Sequence, residues 1–262
     1  GVVGAGISTL TARILMFAAF AVLFYRSLRY RRYLVGYKRG KYNFTDILSL
    51  NKMGWMVGLQ MGLETALFSI TGIMIGWLGS IALAAHQVVV AISTLGFMIY
   101  YGVGAAVSVR VSNYFGRQDL LHVRRTTMAG FHLILCLAVC ACTVFLFSRE
   151  LIGYLFTTSE EVIRVVSTLV YILLAYQFGD ALQITYANSL RGIGDVISMA
   201  VISFIGYFLI AMPVCYICGF VLEWGITGIW IGYPIGLTLT GVMLCGRYYW
   251  KLKTKTQSKE FY

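Results

Sequence analysis

Seven long apolar stretches restrict the fold of this chain more than any other feature of its sequence. A helix needs about 20 mainly apolar residues to cross a bilayer, and each stretch reaches that length. Charged residues make up only 12% of the chain, against about 25% in soluble domains. The sequence therefore predicts an all-α polytopic membrane protein with about seven transmembrane helices. They are expected at residues 1–25, 53–78, 81–111, 126–147, 162–190, 198–221 and 225–249.

The basic residues between these stretches fall almost entirely on alternate loops. Sixteen of the 21 lysines and arginines lie in the first, third and fifth loops and the tail, whereas the opposite side has Arg149 and Arg164. Short basic loops remain in the cytoplasm, so the N-terminus is expected outside and the C-terminus inside a plasma (inner) membrane. The net charge of +11 is thereby assigned to orientation in the lipid bilayer, and no nucleic-acid partner is expected. The sixteen are Arg26, Arg29, Arg31, Arg32, Lys38, Arg39, Lys41, Arg117, Arg124, Arg125, Arg191, Arg247, Lys251, Lys253, Lys255 and Lys259.

A weak internal repeat indicates how the helices are grouped. The pattern G-x-x-G-x-x-I at residues 1–7 recurs at residues 225–231, in each case at the start of an apolar helix that ends in a basic segment. Repeats in transporters are often this weak. If the helix that each copy begins is the last helix of a repeat, the repeat has six helices. The first helix of the chain then ends a preceding, truncated N-terminal lobe. The expected domains are that helix at 1–25, a basic cytoplasmic linker at 26–52, a six-helix lobe at 53–250 and a basic cytoplasmic tail at 251–262.

The end of the linker has a helical pattern of its own. Between Phe44 and Leu50, apolar residues recur at helical spacing among polar ones. This pattern predicts a short helix lying in the membrane interface. Thr45 or Asp46 is the expected N-cap.

Two acidic residues are expected deep in the membrane. Glu64 is 12 residues from Lys52, and Asp180 is 11 residues from Arg191, which places them about 18 and 16 Å deep at 1.5 Å per residue. Both depths are near the middle of a bilayer core about 30 Å thick. Ionisable residues at that depth are usually functional. The two acids form either one shared site or two separate structural hydrogen-bonding groups.

Each acid has polar neighbours on its own helix face. Gln60 precedes Glu64 by four residues, Tyr176 precedes Asp180 by four, and Gln183 follows Asp180 by three. A lone carboxylate in apolar surroundings takes up a proton, whereas several oxygens around it can hold a small hard cation. The two glutamines serve equally well as hydrogen-bonding groups between helices.

Arg13 and His86 are weaker candidates for a site. Arg13 is 13 residues from Arg26, so it is also deep, and a structural ion pair is favoured, with Asp180 or with an acid elsewhere in the protein. His86 is close to the outer end of the third span. It can titrate near neutral pH, but a hydrogen-bonded packing histidine is favoured.

Two further patterns are interpreted as structural. Cys215 and Cys218 form a C-x-x-C inside an apolar helix, but no second pair has metal-ligand spacing, so buried packing cysteines are favoured. Gly192 and Gly194 resemble a phosphate loop, but no strand precedes them, and a tight turn with positive φ is preferred. No nucleotide-binding signature, catalytic nucleophile or polar ring of a channel is apparent. We therefore expect neither an enzyme, nor a cofactor, nor a structural metal.

Taken together, several motifs resemble the multidrug and toxic compound extrusion (MATE) family. They are QMGLE at 60–64, AAHQ at 84–87, GAA at 104–106, Asp180, and LRGIGD at 190–195. The resemblance implies twelve helices in two six-helix lobes, of which this chain would supply the sixth helix and the C-terminal lobe. It also implies a secondary active antiporter that exports amphipathic, often cationic compounds by alternating access, driven by a sodium or proton gradient.

The resemblance further assigns roles to the candidate residues. Glu64, Asp180 and the coordinating Tyr176 would form the cation-coupling site, where sodium can bind. The site-lining or substrate candidates would then be Gln60, Gln183, Arg13 and His86. The alternative is a flippase of the same superfamily, which moves a lipid-linked oligosaccharide. That anionic cargo would call for several arginines in the cavity, and Arg13 is the only mid-depth basic residue, so a cationic cargo is favoured.

Overall fold

The computed structural model describes residues 2–27, 40 and 43–257. The described residues form helices joined by short turns, and none of them is in a strand. The chain divides into two compact units, Gly1–Asn51 and Lys52–Tyr262. Most of the basic residues predicted for the first loop lie outside the described residues.

The first unit contains helix α1, Val2–Arg26, and the beginning of helix α2, Phe44–Gly76. The segment predicted as a short helix is helical, but the prediction of a separate helix is wrong, because α2 continues through this segment without a break. Its position in the membrane interface stays a prediction. No proline or turn sequence interrupts the chain there, so nothing ends the helix. The predicted N-cap is also wrong, since the Asn43 side chain accepts a hydrogen bond from the backbone N–H of Thr45 at 3.1 Å.

The second unit continues α2 and adds six further helices. Seven helices among the described residues are long and apolar enough to cross a membrane, as predicted. An additional short helix, α5, follows the fourth span and was not predicted, because eight residues are too few to show a clear period. The bounds are α3 Ser80–Gly116, α4 Leu120–Phe147, α5 Arg149–Phe156, α6 Glu160–Gly192, α7 Val196–Val221 and α8 Gly225–Gln257.

Helix α6 lies at the centre of the second unit. It packs against α3, α4, α5 and α8, and buried side chains follow one another along most of its length. Leu169 and Leu173 of α6 are fully buried together with Trp230 and Tyr233 of α8. The polar residues Tyr176, Gln177, Asp180 and Gln183 of α6 are therefore enclosed by protein rather than exposed to lipid.

Helix α7 is irregular, because two π-helical turns flank its middle. The turns are Ile205–Ala211 and Ile217–Val221, on either side of the α-helical segment Met212–Tyr216. Pro213 lies in that segment, where its ring removes one backbone hydrogen bond and crowds the carbonyl four residues earlier. Wider π turns next to a proline accommodate this crowding.

Three glycines at four-residue spacing allow α8 to approach α7 closely. A Cβ added at Gly228 would overlap the carbonyl oxygen of Cys218, and one at Gly232 would overlap Cys215. At Gly236 the added atom would overlap the Cβ of Ala211. Small residues at this spacing are typical of tightly packed membrane helices.

Replacing Gly228 by Ala should destabilise the second unit by about 1–3 kcal/mol, the usual cost of overpacking. The clash is with the backbone of α7, so no side-chain rotation relieves it. Gly246→Ala on the same helix is the matched control, because nothing lies within 4 Å of that position. Thermal unfolding of the full-length protein in detergent measures both. Equal midpoints would contradict the close approach of α7 and α8.

The turn between α6 and α7 is held to α8 by a group of charges. Gly194 has φ of +78°, as predicted for this tight turn. Asp195 accepts a hydrogen bond from Arg247 at 2.8 Å and one from Ser198 at 2.9 Å, and Lys251 is 3.9 Å away. Burial alone would raise the pKa of the Asp195 carboxyl, but the hydrogen bonds from Arg247 and Ser198 hold it below its ordinary range.

We expect Asp195→Asn to lower the free energy of unfolding by about 1–3 kcal/mol, as for other hydrogen bonds to charged groups. Because the folded pKa lies below the unfolded one, this stabilisation is present above about pH 4 and is lost as the pH falls further. Chemical unfolding between pH 7 and pH 3 measures it. The difference between wild type and variant should shrink towards the acid end, and a constant difference would contradict the ion-pair assignment.

Candidate functional site

Glu64 is hydrogen-bonded to side chains from two other positions in the bundle. The Nε2 of Gln60, one turn earlier on α2, donates to the Oε2 of Glu64 at 3.1 Å. The hydroxyl of Tyr207 in the first π turn of α7 donates to the same oxygen at 3.5 Å. Gln183 of α6 donates from Nε2 to the Tyr207 hydroxyl at 2.7 Å. Gln60 therefore lies beside Glu64, as its spacing indicated, whereas Gln183, which the spacing put with Asp180, joins the network of Glu64 through Tyr207.

Arg191 joins this network from the end of α6. Its guanidinium contacts the Oε1 of Gln60 and the Oδ1 of Asn188, each at a long 3.4 Å. A small pocket of about 20 Å³ lies beside these groups and is lined by Glu64 and Arg191. The sequence did not indicate this contact of Arg191, because helix rise gives depth but not the direction of a long side chain.

Asp180 is fully buried on α6, and neither of its carboxylate oxygens has a hydrogen-bond partner among the described residues. When both acids are ionised, the charge of Glu64 acts on the Asp180 carboxylate, so the two side chains are near enough to interact electrostatically. Tyr176, one turn earlier on α6, is also buried and is close enough to both acids to interact with them electrostatically. An unpaired carboxylate in such a place is costly unless a proton or a cation neutralises it.

Two polar side chains near Asp180, those of Gln177 and Tyr100, were not predicted from the sequence as site residues. The Oε1 and Nε2 of Gln177 and the hydroxyl of Tyr100 are buried and have no partner among the described residues. Both side chains lie beside Gly96 of α3. Tyr100 is also close enough to Asp180 to interact with it electrostatically. The signal available was the position of Gln177 three residues before Asp180, on the same helix face.

A cavity of about 260 Å³ opens between α2 and α3 next to Glu64. Glu64 and Tyr176 contribute its polar wall, and Phe68 and Phe97 contribute aromatic rings. Phe68 is fixed by stacking on Tyr233, with ring centroids 4.8 Å apart. A carboxylate beside aromatic and apolar side chains matches the surface of an amphipathic cation.

His86 does not line this cavity, and Arg13 belongs to the first unit. His86 is buried, lies edge-on to Trp230 with ring centroids 5.7 Å apart, and lines a neighbouring cavity with Phe68. Arg13 is exposed on α1 in the first unit, and its role as an ion-pair partner stays a prediction. Among the described residues, no group of three or more His, Cys, Asp and Glu could hold a metal ion.

The comparison with known families covers this same region. The sequence model of the family described as MatE matches residues 57–217, which is more than half of the chain. The chain belongs to the MatE family. The match extends from α2 into α7, and it includes Glu64, Tyr176, Asp180 and Tyr207. The resemblance found in the short motifs is thereby confirmed.

Curated relatives in this family are bacterial proteins named for multidrug resistance. The multidrug resistance protein NorM of Photobacterium profundum is 34% identical over 269 residues, covering 100% of this chain and 58% of the relative. NorM of Aliivibrio fischeri is 31% identical over 262 residues, covering 98% of this chain and 57% of the relative. The chain thus spans a little over half of the length of the curated relatives it matches.

Solved MATE structures share the fold. The eukaryotic MATE transporter AtDTX14 superposes with a TM-score of 0.79 at 19% identity, covering 92% of this chain and 56% of that one. A MATE crystallised in complex with MaL6 gives 0.82 at 16% identity, covering 98% and 58%. At these identities the likeness establishes the fold of the MatE chain and nothing about its ligands.

Proposed function

We propose that this chain is the C-terminal part of a multidrug efflux antiporter, in which a sodium or proton gradient drives the export of amphipathic, cationic compounds. The observation that carries the proposal is the buried carboxylate of Asp180, which has no hydrogen-bond partner among the described residues, close to Glu64, which lines an amphipathic cavity. The names of the NorM relatives support the multidrug cargo. In the domain order we propose, residues 53–250 form one lobe, and the rest of the protein supplies the other.

The coupling step follows from the electrostatics of the two acids. A cation that enters from outside binds between Glu64, Asp180 and Tyr176 and removes the repulsion between the carboxylates. Gln177 and Tyr100 offer further oxygens that lack partners among the described residues. The ion shifts the conformational equilibrium only by its different affinity for the two states. Loss of the repulsion favours the closer packing of α2 on α6, and ion release to the cytoplasm reverses it.

Substrate and ion compete for the same negative region. A cationic drug in the cavity lies against Glu64 and the aromatic rings of Phe68 and Phe97. Its charge replaces that of the coupling ion, so binding of one disfavours the other, which is the condition for exchange. An anionic cargo is repelled by Glu64, and this favours an exporter of cations over the flippase of a lipid-linked oligosaccharide.

Transport by the full-length protein in liposomes tests the proposal. A sodium gradient and a proton gradient are imposed separately, and the movement of a fluorescent amphipathic cation such as ethidium is followed. We expect movement against the ethidium gradient with one of the two ions and none when both gradients are collapsed. Movement that is independent of both gradients would contradict the antiporter.

The proposed orientation is tested by labelling single cysteines from outside intact cells. In a full-length background without native cysteines, Arg117→Cys lies in the α3–α4 turn and Ser159→Cys lies just before α6, and both positions are exposed. The basic loops are proposed to face the cytoplasm. A membrane-impermeant maleimide should therefore label position 159 and not position 117. The reverse pattern would contradict the orientation.

A further inference from the structure

A second groove, of about 390 Å³, lies between α3 and α4 close to the turn that joins them. Arg110 of α3 and Arg125 of α4 line it, and both are exposed. Tyr114 and His122 stack beside them with ring centroids 5.1 Å apart. The proposed antiport does not use any of these residues.

The groove is on the far side of α3 from the cavity that Glu64 and Tyr176 line, which is the proposed transport cavity. Thr94 and Phe97 line the cavity, whereas Arg110 and Tyr114 line the groove. Arg110 follows Thr94 by 16 residues, which is a net rotation of about 160° around a helix with 3.6 residues per turn. The groove therefore faces away from the acids, towards the outer surface of this unit.

With the middle of each helix placed at the bilayer midplane, the two arginines lie at the depth of the boundary between lipid headgroups and acyl chains. Helix α3 has 37 residues, and Arg110 lies 12 residues past its middle, or about 18 Å. Helix α4 has 28 residues, and Arg125 lies about 13 Å from its middle on the same scale. Half of the hydrocarbon core is about 15 Å.

The charge of the groove is positive. Asp119 attracts Arg125, but its carboxylate is engaged by the Nδ1 of His122 at 2.6 Å and by the backbone N–H of that residue. Within the described part of the chain, neither Arg110 nor Arg125 forms an ion pair with an acid. Below the arginines the lining becomes apolar, with Ala129 and the exposed Leu133 of α4.

We infer that this groove binds an anionic phospholipid, whose phosphate lies between Arg110 and Arg125 and whose acyl chain covers Ala129 and Leu133. A phosphate accepts several charge-assisted hydrogen bonds from guanidinium groups. Basic pockets between transmembrane helices at the membrane surface are suited to anionic headgroups. A zwitterionic lipid fits the apolar part equally well but gains less from the two positive charges.

Native mass spectrometry of the purified full-length protein tests this inference by counting retained phosphatidylglycerol and phosphatidylcholine. The wild type should retain phosphatidylglycerol preferentially. Arg110→Gln or Arg125→Gln should each weaken that preference about fivefold, and the double variant about 30-fold. Arg117→Gln is the matched control, because it makes the same change of charge at an exposed position of the neighbouring turn, and it should leave the preference nearly unchanged.

A second variant tests the apolar half of the groove without any change of charge. Ala129→Trp fills it from an exposed position, so the fold should tolerate the change. It should reduce retention of phosphatidylglycerol to the level of the double arginine variant. Equal retention of both lipids by the wild type would overturn the site, as would wild-type retention in the double variant. Unchanged retention in Ala129→Trp would mean that something other than lipid covers the groove.

Discussion

Glu64→Gln and Asp180→Asn should each reduce gradient-driven efflux by the full-length protein to the level of protein-free liposomes. Both substitutions keep the size of the side chain and remove its charge. Without one of the two carboxylates the repulsion between them is gone whether or not an ion is bound. Ion binding then no longer distinguishes the two conformations, and an ion without differential affinity shifts no equilibrium.

The two variants should nevertheless fold. In Glu64→Gln the new amide keeps an oxygen that accepts hydrogen bonds from Gln60 and Tyr207, whereas the Asp180 carboxylate has no partner to lose among the described residues. Expression and the unfolding midpoint should therefore stay near those of the wild type. Glu160→Gln is the control, since it makes the same change at the exposed start of α6 and should transport normally. Export at wild-type rates by both site variants would make these carboxylates structural.

Helical spacing predicted which side chains share a helix face. The depth of each acid stays a prediction, because it depends on basic loops at the membrane surface and a rise of 1.5 Å per residue. The same spacing put Gln60 with Glu64 and Gln183 with Asp180, and the structure places both glutamines in the network around Glu64. The seven spans followed from length and apolarity alone, and they are present.

The direction of each helix around its axis could not be derived in the same way. Tyr207 belongs to an apolar helix with no polar stripe to show its register, and the π-helical turns near Pro213 change that register further. The contact of Arg191 with Gln60 depends on how a long side chain bends back towards the bundle. These features arise from packing between helices. The spacing of polar residues along a single helix does not predict such packing.

Thr65→Trp should separate drug binding from ion binding. Thr65 lies one residue after Glu64, is exposed, and lines the transport cavity. An indole ring there occupies the space proposed for the drug and leaves the carboxylates and Tyr176 in place. Steric overlap of about 1–3 kcal/mol corresponds to a loss of drug affinity of about 5- to 150-fold. Fluorescence titration of the full-length protein with ethidium measures this change.

Ion binding by the same variant decides how this result is interpreted. The thermal shift produced by the coupling ion should persist in Thr65→Trp, because the proposed ion site lies deeper, between α2 and α6. Ser69→Trp is the matched control: it is one turn further along α2, exposed, and lines only the neighbouring cavity. It should bind ethidium as the wild type does. Since drug and ion compete only through charge, a variant that loses both would place them in one overlapping site, and a variant that loses neither would place the drug elsewhere.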